Sequence, residues 1–412
     1  MDKSCATTGN SGPKVRSDCQ ITLSLKNEGG ISIELKSKVE TLYGDSVRSL
    51  CLKMLRCLGI ENAHLEVVDS GALPFVIMAR LEAAVKKLTG TGMKFLPDFP
   101  EDNMYSTARD RFRFSRLYLP GNTPSLMINA GLHSADGIIL DLEDSVAPEK
   151  KDEARILVRN ALRQLDFRSA EKMVRINQGE RGMNDLDSVI PQNVNLVLIP
   201  KCESPENVRE VANHIREITA GSGLAYPVYL MPIIESALGV ELAFDIARAD
   251  ESVVAMAVGL EDLTADMGVR RTREGNETLY ARTRIVNAAK AAGIQPIDSV
   301  FPDVADMEGL RNNVAVSKAL GFEGMGCIHP RQVALIRQGF APEPEEIEKS
   351  KKIVRAYEAA LSKGLGVVAL GSKMIDPPVV NRAMRSIDLA VRLGLIDSEW
   401  RNESSDEIQQ TS

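Results

Sequence analysis

Residues 253–262 read VVAMAVGLED, an apolar run that ends in two adjacent carboxylates, Glu261 and Asp262. A run that is apolar nearly throughout is expected of a strand in a parallel sheet buried on both faces. Seven other short β-rich runs occur, and each is followed by a segment that can form a helix. They are SRLYLPG, GIILDLED, MVRINQ, LVLIPK, VYLMPIIE, QPIDSVFPD and GMGCIHP, beginning at Ser115, Gly137, Met173, Leu196, Val228, Gln295 and Gly324. Eight strand and helix pairs in about 250 residues predict a (β/α)8 TIM barrel of the α/β class.

An open, doubly wound sheet is the alternative architecture, since it also alternates strands with helices. Such a sheet usually carries a glycine-rich turn after its first strand, and YLPGNTP at residues 118–124 is a poor match. We therefore prefer the barrel and place it at residues 111–340. A small α+β domain at residues 15–90 and a linker at residues 91–110 precede it, and a helical extension at residues 341–400 follows.

The flanking regions are recognised by their local patterns. The N-terminal domain combines two β-rich runs around a Gly29-Gly30 turn, a helical stretch over residues 39–58, the strand AHLEVVD and a helix in PFVIMARLEAAVKKL. The linker mixes Gly, Pro and polar residues without periodicity. The extension opens with the charge-rich helix EPEEIEKSKKIVRAYEAALSKG. Such extensions often pack on a neighbouring subunit, and we expect this one at a subunit interface.

Composition narrows the class of partner. The 412 residues include 57 acidic and 50 basic ones, a net charge of -7, without a long basic block. This balance argues against nucleic acid or a membrane surface and favours a small ligand. Six cysteines without CxxC spacing and only four histidines exclude a zinc cluster and favour a reducing compartment. The polar N-terminus and the absence of a long apolar run predict a cytoplasmic protein.

Polar residues gather at the carboxyl ends of the predicted strands, where barrel enzymes build their active sites. The residues are Asp141, Glu143, Asp144, Arg175, Asn177, Lys201, Glu235, Glu261, Asp262, Asp303 and His329. A single terminal carboxylate is more often a helix N-cap than a ligand, and Asp144 is open to that interpretation. Several carboxylates and two cations on one rim, however, would repel or stay solvated unless a divalent ion or a charged substrate joined them. Oxygen ligands without His or Cys indicate Mg²⁺ or Mn²⁺.

The remaining polar groups divide by type. Arg175 can hold a carboxylate or a thioester carbonyl with its planar fork, and Lys201 supplies a point charge that neutralises the acidic cluster. His329 is either an acid or base, or a hydrogen-bonded structural histidine. Phosphate loops, GxSxG elbows and Cys/His nucleophile pairs are missing from the sequence, so a metal-assisted mechanism on a carboxylated substrate is preferred.

A set of motifs carries a family resemblance. They are LYLPGN, ILDLEDSVAPEKKDEAR, VRINQ, GMNDL, LIPKCES, IIESALG, GLEDL and GCIHPRQ, in that order. Together they resemble the citrate lyase beta subunit family, which includes the malyl-, citramalyl- and citryl-thioester lyases. The N-terminal segments VETLYGDSVRSLCLKML and VVDSGALPFVIMARLEAAV are similar to the citrate lyase acyl carrier (gamma) subunit. The chain thus resembles a carrier subunit fused in front of a beta subunit.

The resemblance implies an activity and assigns residues to it. The barrel would cleave a 3-hydroxyacyl thioester by a retro-Claisen-type step, with Mg²⁺ bound by Glu235 and Asp262. Asp376 matches an acid that such lyases donate from a neighbouring subunit, commonly within a trimer. The residues assigned to catalysis are Asp376, Arg175, Glu143 and Asp144, and those assigned to substrate binding are Arg175, Lys201, Arg113 and His329.

The carrier resemblance leaves several points open. Carrier subunits bear phosphoribosyl-dephospho-CoA on a serine in a stretch E-S-(S/G)-D, and the best match here is VRSDCQ, with Ser17 beside Asp18. Ser17 is the candidate attachment site, and an unmodified, vestigial carrier is the alternative. His329 stands where citrate lyases tend to have Asn and CoA-dependent relatives have His, so free CoA and a carrier thioester both remain possible. A citrate lyase alpha (transferase) subunit is an expected partner if the carrier is loaded.

Other functions also remain open. The acyl group can be citryl, citramalyl or malyl. A metal-dependent aldolase acting on free keto-hydroxy acids would use the same barrel and metal, and a carrier or scaffold component of a lyase complex would not need the active site. Within the site, strand alternation predicts that Glu261 and Asp262 do not both face the metal. We expect Glu261 either to face away from the metal or to support the site without binding the metal, paired with Arg175 or Lys201.

Overall fold

The computed structural model of the protein describes residues 4–222, 226–362, 364, 367–370 and 373–402. The chain divides into two compact units, Met1–Ile336 and Arg337–Ser412. The first unit holds an N-terminal sheet domain and the barrel, and the second holds the segments that follow the barrel.

The N-terminal domain is a four-stranded sheet covered by two helices. Its elements are β1 (Cys5–Gly9), β2 (Cys19–Leu25), β3 (Ile31–Ser37), α1 (Glu40–Cys57), β4 (Ala63–Asp69) and α2 (Pro74–Thr89). The strand order is β1-β2-β4-β3, so β4 lies between β2 and β3 and the turn at Gly29 is not a hairpin. Only β3 and β4 are parallel, because α1 crosses over between them. Alternation explains the packing of β4, whose Ala63, Leu65 and Val67 are buried in the core while Glu66 is exposed.

The barrel follows from Ser115 onward. Its strands are β5 (Ser115–Pro120), β6 (Gly137–Asp141), β7 (Glu171–Arg175), β8 (Leu196–Ile199), β9 (Tyr229–Ile234), β10 (Ala255–Val258), β11 (Gln295–Ile297) and β12 (Met325–Cys327). The helices are α3 (Pro124–Met127), α4 (Lys151–Gln164), α5 (Gly179–Val189), α6 (Pro205–Ser222), α7 (Ala237–Glu241), α8 (Ala243–Ala247), α9 (Leu260–Asp266), α10 (Leu279–Ala292), α11 (Met307–Leu320) and α12 (Pro330–Phe340).

The eight strands form one parallel sheet that curls on itself, in the order β11-β10-β9-β8-β7-β6-β5-β12. A bridge between Asp298 and Met325 brings its two outer strands together. Side chains such as Ile139, Met173 and Met231 fill the interior, so both faces of the strands are buried, as their apolar composition requires. The predicted barrel and all eight predicted strands are confirmed, and the open sheet is excluded.

Helix α2 of the N-terminal domain packs against barrel helix α4, and charged side chains are buried where they meet. The guanidinium of Arg159 donates to both oxygens of Glu82 at 2.8 Å. Arg80 pairs with Asp18 at 3.0 Å and with Glu153 at 3.5 Å. We call these five residues the junction cluster.

The second unit contains α13 (Pro344–Leu361), β13 (Val368–Leu370), β14 (Lys373–Ile375) and α14 (Pro377–Arg392). The two short strands pair in an antiparallel ribbon. The helices pack through Val354 and Ile387, and Trp400 completes this small core. The predicted charge-rich helix corresponds to α13.

Candidate active site

The carboxyl ends of the barrel strands surround a cavity of about 340 Å³. Six of the predicted residues line it, namely Asp141, Asp144, Arg175, Glu235, Glu261 and Asp262. They come from four different strand ends, which the barrel brings to one rim. The sequence prediction therefore identified the face of the barrel and most of the acidic part of the cavity lining.

Arg175 is the last residue of β7 and is held from two sides. Its Nε and Nη2 donate to the two carboxylate oxygens of Asp141 at 2.6 and 2.7 Å, and Nη1 lies 3.1 Å from Glu143. The guanidinium also lies over the ring of Tyr118, 5.5 Å from its centroid. Despite the opposing effect of burial, the hydrogen bonds and charge of Asp141 raise the pKa of Arg175 further. Arg175 is thus a permanent cation with a fixed plane.

Lys201 is the second cation of the site. Its Nζ lies 2.6 Å from Glu143, 3.0 Å from Asp144 and 3.8 Å from Asp262. Burial opposes the charge, but the bonds to Glu143 and Asp144 prevail and raise the pKa of Lys201. Its backbone has a left-handed φ of 46°, which costs a non-glycine residue about 1 kcal/mol or more, and its backbone N–H donates to Glu235 at 2.9 Å.

Glu143 and Asp144 form a coupled acidic pair beneath Lys201. Burial raises the pKa of Glu143, which is close to fully buried. Asp144 is half-exposed, and hydrogen bonds with Glu143 and Lys201 outweigh its burial and lower its pKa. The pKa values of the two neighbouring carboxyls therefore shift in opposite directions, and Lys201 bridges the two groups.

Glu235 follows β9 and is buried beside the cavity. Burial raises the pKa of Glu235 to about 7, and the charge of Asp262 adds to the effect. The space for its carboxylate exists because residue 259 is glycine. A Cβ on Gly259 would lie 2.4 Å from Oε1 of Glu235, which is a clash.

Asp262 and Glu261 lie in the first turn of α9, and β10 has already ended at Val258. The prediction that a strand continues through them is wrong, because Gly259 leaves the sheet and starts the helix. Glu261 pairs with Arg271 at 2.6 Å, so the predicted pairing of Glu261 with Arg175 or Lys201 is also wrong. The helix nevertheless separates the two carboxylates, since neighbours in a helix point in different directions.

Arg113 does not lie with the other predicted substrate-binding residues. It precedes β5 at the amino ends of the strands, is fully buried, and forms a bidentate pair with Glu171, the first residue of β7. It also donates to Gln295, the first residue of β11. Assigning Arg113 to substrate binding is therefore corrected to a structural role, because the carboxyl ends of the strands lie on the opposite face.

Other predicted residues lie apart from the cavity lining or make local contacts. His329 is exposed, one residue beyond the lining residue Ile328, and accepts from the backbone N–H of Arg331 at 3.2 Å. Asp303 closes a turn by accepting from the backbone N–H of Ala305. Asn177 donates to buried Asp185.

Two predicted residues lie outside the barrel. Ser17 is half-exposed, with a left-handed φ of 56°, and its neighbour Asp18 belongs to the junction cluster. Asp376, in the second unit, caps α14 by accepting from the backbone N–H of Val379 at 3.2 Å.

Sequence reasoning missed several residues of the site, and three of them position its main elements. Tyr118 supports the guanidinium of Arg175, Gly259 makes room for Glu235, and Ser299 accepts from the backbone N–H of Leu260 at the start of α9. Gly259 carried a signal, since a glycine directly before two carboxylates ends the strand. Tyr118 and Ser299 carried none.

The carboxylates of the cavity are oxygen donors of the kind that a magnesium ion binds. Among the described residues, no group of three or more His, Cys, Asp or Glu side chains is arranged to hold a metal. Mg²⁺ keeps several waters and needs only one or two carboxylates, so Glu235 and Asp262 suffice in number and in kind. A buried carboxyl with a raised pKa beside a second carboxylate is also a place where a cation is favoured. The residues present fit the ion.

Comparison with known proteins identifies the family. A family model described as HpcH/HpaI aldolase/citrate lyase matches residues 115–330, which span all of the cavity residues named above. The citrate lyase subunit beta of Leuconostoc mesenteroides subsp. cremoris is 38% identical over 295 residues, covering 70% of this chain and 97% of that protein. The chain belongs to the HpcH/HpaI aldolase/citrate lyase family. It is a lyase of the citrate lyase beta type, as the motifs predicted.

Further relatives of this lyase extend the comparison. The mitochondrial citramalyl-CoA lyase of Homo sapiens is 32% identical over 78% of this chain and 99% of its own. The structure of the CitE protein of Mycobacterium tuberculosis in complex with magnesium, acetoacetate and coenzyme A superposes with a TM-score of 0.58 at 30% identity. It covers 69% of this chain and 99% of that one. One of these relatives is named for a CoA thioester, and the other is a complex that contains coenzyme A.

The N-terminal domain has its own match. A family model described as ACP, malonate decarboxylase delta subunit (MdcD), covers residues 7–88. The predicted resemblance of this region to an acyl carrier is thereby confirmed at the level of the family. None of the helices in the described residues is long and apolar enough to cross a membrane.

Proposed function

We propose that the lyase cleaves a 3-hydroxyacyl thioester into an acetyl thioester and a 2-oxo acid, with Mg²⁺ as its cofactor and Mn²⁺ as a substitute. One observation carries the proposal, namely that Arg175, Glu235 and Asp262 converge on a single cavity. The two carboxylates can hold a metal that binds the oxygens at one end of the substrate. The fixed guanidinium can stabilise the negative charge that develops at the other end.

Glu235 and Asp262 are the proposed metal ligands. The metal, when bound, would chelate the substrate hydroxyl with its neighbouring carboxylate and make that hydroxyl more acidic. Gly259 and the backbone N–H of Lys201 fix the carboxylate of Glu235, so the chain prepares this ligand before anything binds. Preorganisation of this kind lowers the free-energy cost of binding.

Arg175 is the proposed stabiliser of the enolate. The hydroxyl loses its proton, its oxygen becomes the carbonyl of the 2-oxo acid, and the electron pair of the broken C–C bond moves to the thioester enolate. The guanidinium faces that charge with its plane fixed by Asp141 and Tyr118. Protonation of the enolate carbon then gives the acetyl thioester.

We assign the two proton transfers to two different groups, a base in the barrel and an acid in the C-terminal extension. Glu143, whose pKa burial raises, is the candidate base for the hydroxyl, and the ammonium of Lys201 contacts both Glu143 and Asp144. Asp376 is the candidate acid for the enolate carbon, delivered by the C-terminal extension of a neighbouring copy in a trimer. His329, exposed near the cavity, is a candidate contact for the CoA portion of the thioester.

A substrate screen tests the activity. Citryl-CoA, citramalyl-CoA and malyl-CoA are incubated with enzyme and Mg²⁺, with release of acetyl-CoA as the readout, beside the aldol cleavage of a free keto-hydroxy acid whose hydroxyl is β to its keto group. Turnover of a thioester that EDTA abolishes and Mg²⁺ restores is expected. Turnover of the free aldol alone would replace the proposal by the aldolase alternative.

The N-terminal domain favours a second candidate role, as an acyl carrier. Its family match and the half-exposed position of Ser17 support attachment of phosphoribosyl-dephospho-CoA there, with a citrate lyase alpha subunit as the transferase partner. Intact-mass measurement of protein from its native host tests this role. An adduct that Ser17→Ala removes would support it. An unmodified chain that cleaves free CoA thioesters would show that the carrier is vestigial.

A further inference from the structure

We infer that Arg116 forms an anion-binding subsite at the floor of the active-site cavity, so that the hydroxyl-bearing carbon of the substrate carries an arm that ends in a carboxylate. The inference rests on the proposed function for the identity of the substrate. The subsite itself rests on the geometry of β5 and its surroundings.

Arg116 is the second residue of β5 and its side chain faces the barrel interior. Side chains alternate along a strand, and Arg116, Tyr118 and Pro120 of β5 all line the cavity. Arg116 therefore lies two residues deeper than Tyr118, about 7 Å along the strand. Nη1 of Arg116 approaches the sulfur of Met231 at 2.9 Å, inside the barrel core.

The guanidinium of Arg116 is buried without a carboxylate. Four arginines are almost completely inaccessible, and three of them are paired: Arg80 with Asp18 and Glu153, Arg113 with Glu171, and Arg159 with Glu82. Arg116 forms no ion pair with any residue that the structure describes, and its Nε has no hydrogen-bond partner there. A thioether sulfur is a weak acceptor and does not compensate a buried charge. Because an unpaired buried cation is costly, its retention on a cavity wall indicates an anionic ligand.

The cavity reaches Arg116 because the neighbouring positions are small. Gly326 is its register partner on β12, and a Cβ there would lie 2.7 Å from Val300 and 3.2 Å from Tyr118. Ala257 of β10 also lines the cavity. An extended substituent of the substrate can therefore pass between these residues to the guanidinium.

The chemistry of the substituent follows from the acceptor that Arg116 needs. The third group on the hydroxyl-bearing carbon can be hydrogen, methyl or carboxymethyl in malyl, citramalyl and citryl thioesters. Only carboxymethyl offers two oxygens for the fork of a guanidinium. The class selected is a hydroxyacyl thioester with a second free carboxylate, and its 2-oxo product is a dicarboxylate.

Steady-state kinetics on the intact chain test this selection. The wild-type kcat/KM for citryl-CoA should exceed that for citramalyl-CoA by on the order of 10⁴-fold, since sites built to bind a polar group reject analogues that lack it. Arg116→Met should reduce the ratio to about 200-fold or less, the range of purely apolar discrimination. A wild-type enzyme that prefers citramalyl-CoA or malyl-CoA would overturn the inference while leaving the lyase proposal intact.

Arg113→Met is the matched control, because Arg113 is an equally buried arginine near the start of the same strand. It should lower the melting temperature by leaving Glu171 unpaired, without changing the substrate ratio of the folded enzyme. Arg116→Met should keep or raise the melting temperature, because a buried unpaired charge is replaced by an apolar chain. A fall in melting temperature with an unchanged ratio would show that Arg116 is structural.

Product binding decides the subsite even if no thioester is cleaved. With Mg²⁺ present, oxaloacetate should raise the melting temperature of the wild type more than pyruvate does, and Arg116→Met should abolish that difference. Absence of all thioester turnover would sink the proposed function alone. Equal stabilisation by the two acids in the wild type would overturn the anion subsite.

Discussion

The junction cluster and the rim of the cavity contain the same types of charged side chain, but they differ in the balance of positive and negative charges. In the junction cluster, Arg80 and Arg159 are matched by Asp18, Glu82 and Glu153, and all five are buried. Lys86 and Lys150 add ion pairs to Glu82 and Glu153 at 3.0 and 2.7 Å. Three carboxylates thus meet four cations within the protein.

The rim has the opposite balance. Arg175 and Lys201 face five carboxylates, which are Asp141, Glu143, Asp144, Glu235 and Asp262. Asp262 and Asp144 are also exposed, at 42% and 53% of their side-chain surface. A closed cluster stabilises a packing arrangement, whereas an open cluster with excess negative charge is completed by a ligand. The comparison predicts stability loss from mutations in the first and activity loss from mutations in the second.

The largest effect is expected at the rim. Glu235→Gln removes a proposed metal ligand while preserving shape, so kcat/KM should fall by about 10³-fold or more. The melting temperature without Mg²⁺ should stay the same or rise, because one buried carboxylate is removed from a crowded acidic site. Assays over a Mg²⁺ series and thermal denaturation measure both quantities. Full activity with unchanged Mg²⁺ dependence would show that the ligand assignment is wrong.

The junction cluster should respond in the opposite way. Arg159→Met leaves the buried carboxylate of Glu82 with Lys86 and the backbone N–H of Phe95, without its bidentate partner, which should cost about 3–5 kcal/mol of stability. Replacing both residues, by Arg159→Met with Glu82→Met, should recover most of that loss, since a buried pair can often be exchanged for apolar side chains. Thermal denaturation of the three proteins forms the test, and kcat/KM of the folded enzyme should not change. Loss of activity at full stability would contradict the distinction between the two clusters.

A third test keeps every charge and alters only space. Gly259→Ala places a methyl 2.4 Å from Oε1 of Glu235 and forces that carboxylate to move. Displacement of a catalytic group by about 1 Å can cost about 10²-fold in rate, and we expect a loss of that size in kcat/KM. Gly92→Ala is the control, because a Cβ there meets no atom within 4 Å. An equal response of the two variants would mean that Gly259 does not position Glu235.

The barrel and its active face could be predicted because both depend on local patterns. Apolar runs and their spacing fix eight strands, and parallel strands bring their carboxyl ends to one face. The predictions that failed concerned residues whose role depends on their position within a strand or helix. Arg113 stands two residues before β5, and the sequence does not show that its side chain pairs at the amino end of the strands. Glu261 was misplaced because Gly259 ends the strand earlier than the apolar run does.

Arg116 shows a different limit of sequence reasoning. A basic residue at the start of an apolar run does not indicate whether a carboxylate on another strand will pair with it. Whether Arg116 finds a carboxylate depends on which residues of β9 and β12 lie next to it. Its neighbours Met231 and Gly326 reach it only when the sheet closes. The lone arginine and the paired one at Arg113 look alike until the fold is known.

The smallest effect separates the two adjacent carboxylates of VVAMAVGLED. Glu261 pairs with Arg271 at the surface, its side chain 60% exposed, and exposed pairs contribute about 1 kcal/mol or less. Glu261→Gln should therefore leave kcat/KM within about fivefold of the wild type, whereas Asp262→Asn, one residue further, should lose about 10³-fold. Both substitutions remove one negative charge at the start of α9, so a difference between them cannot come from the helix dipole or from net charge. Equal losses of kcat/KM would mean that Glu261 also contributes to the metal site. Full kcat/KM in both variants would mean that Asp262 is not a metal ligand.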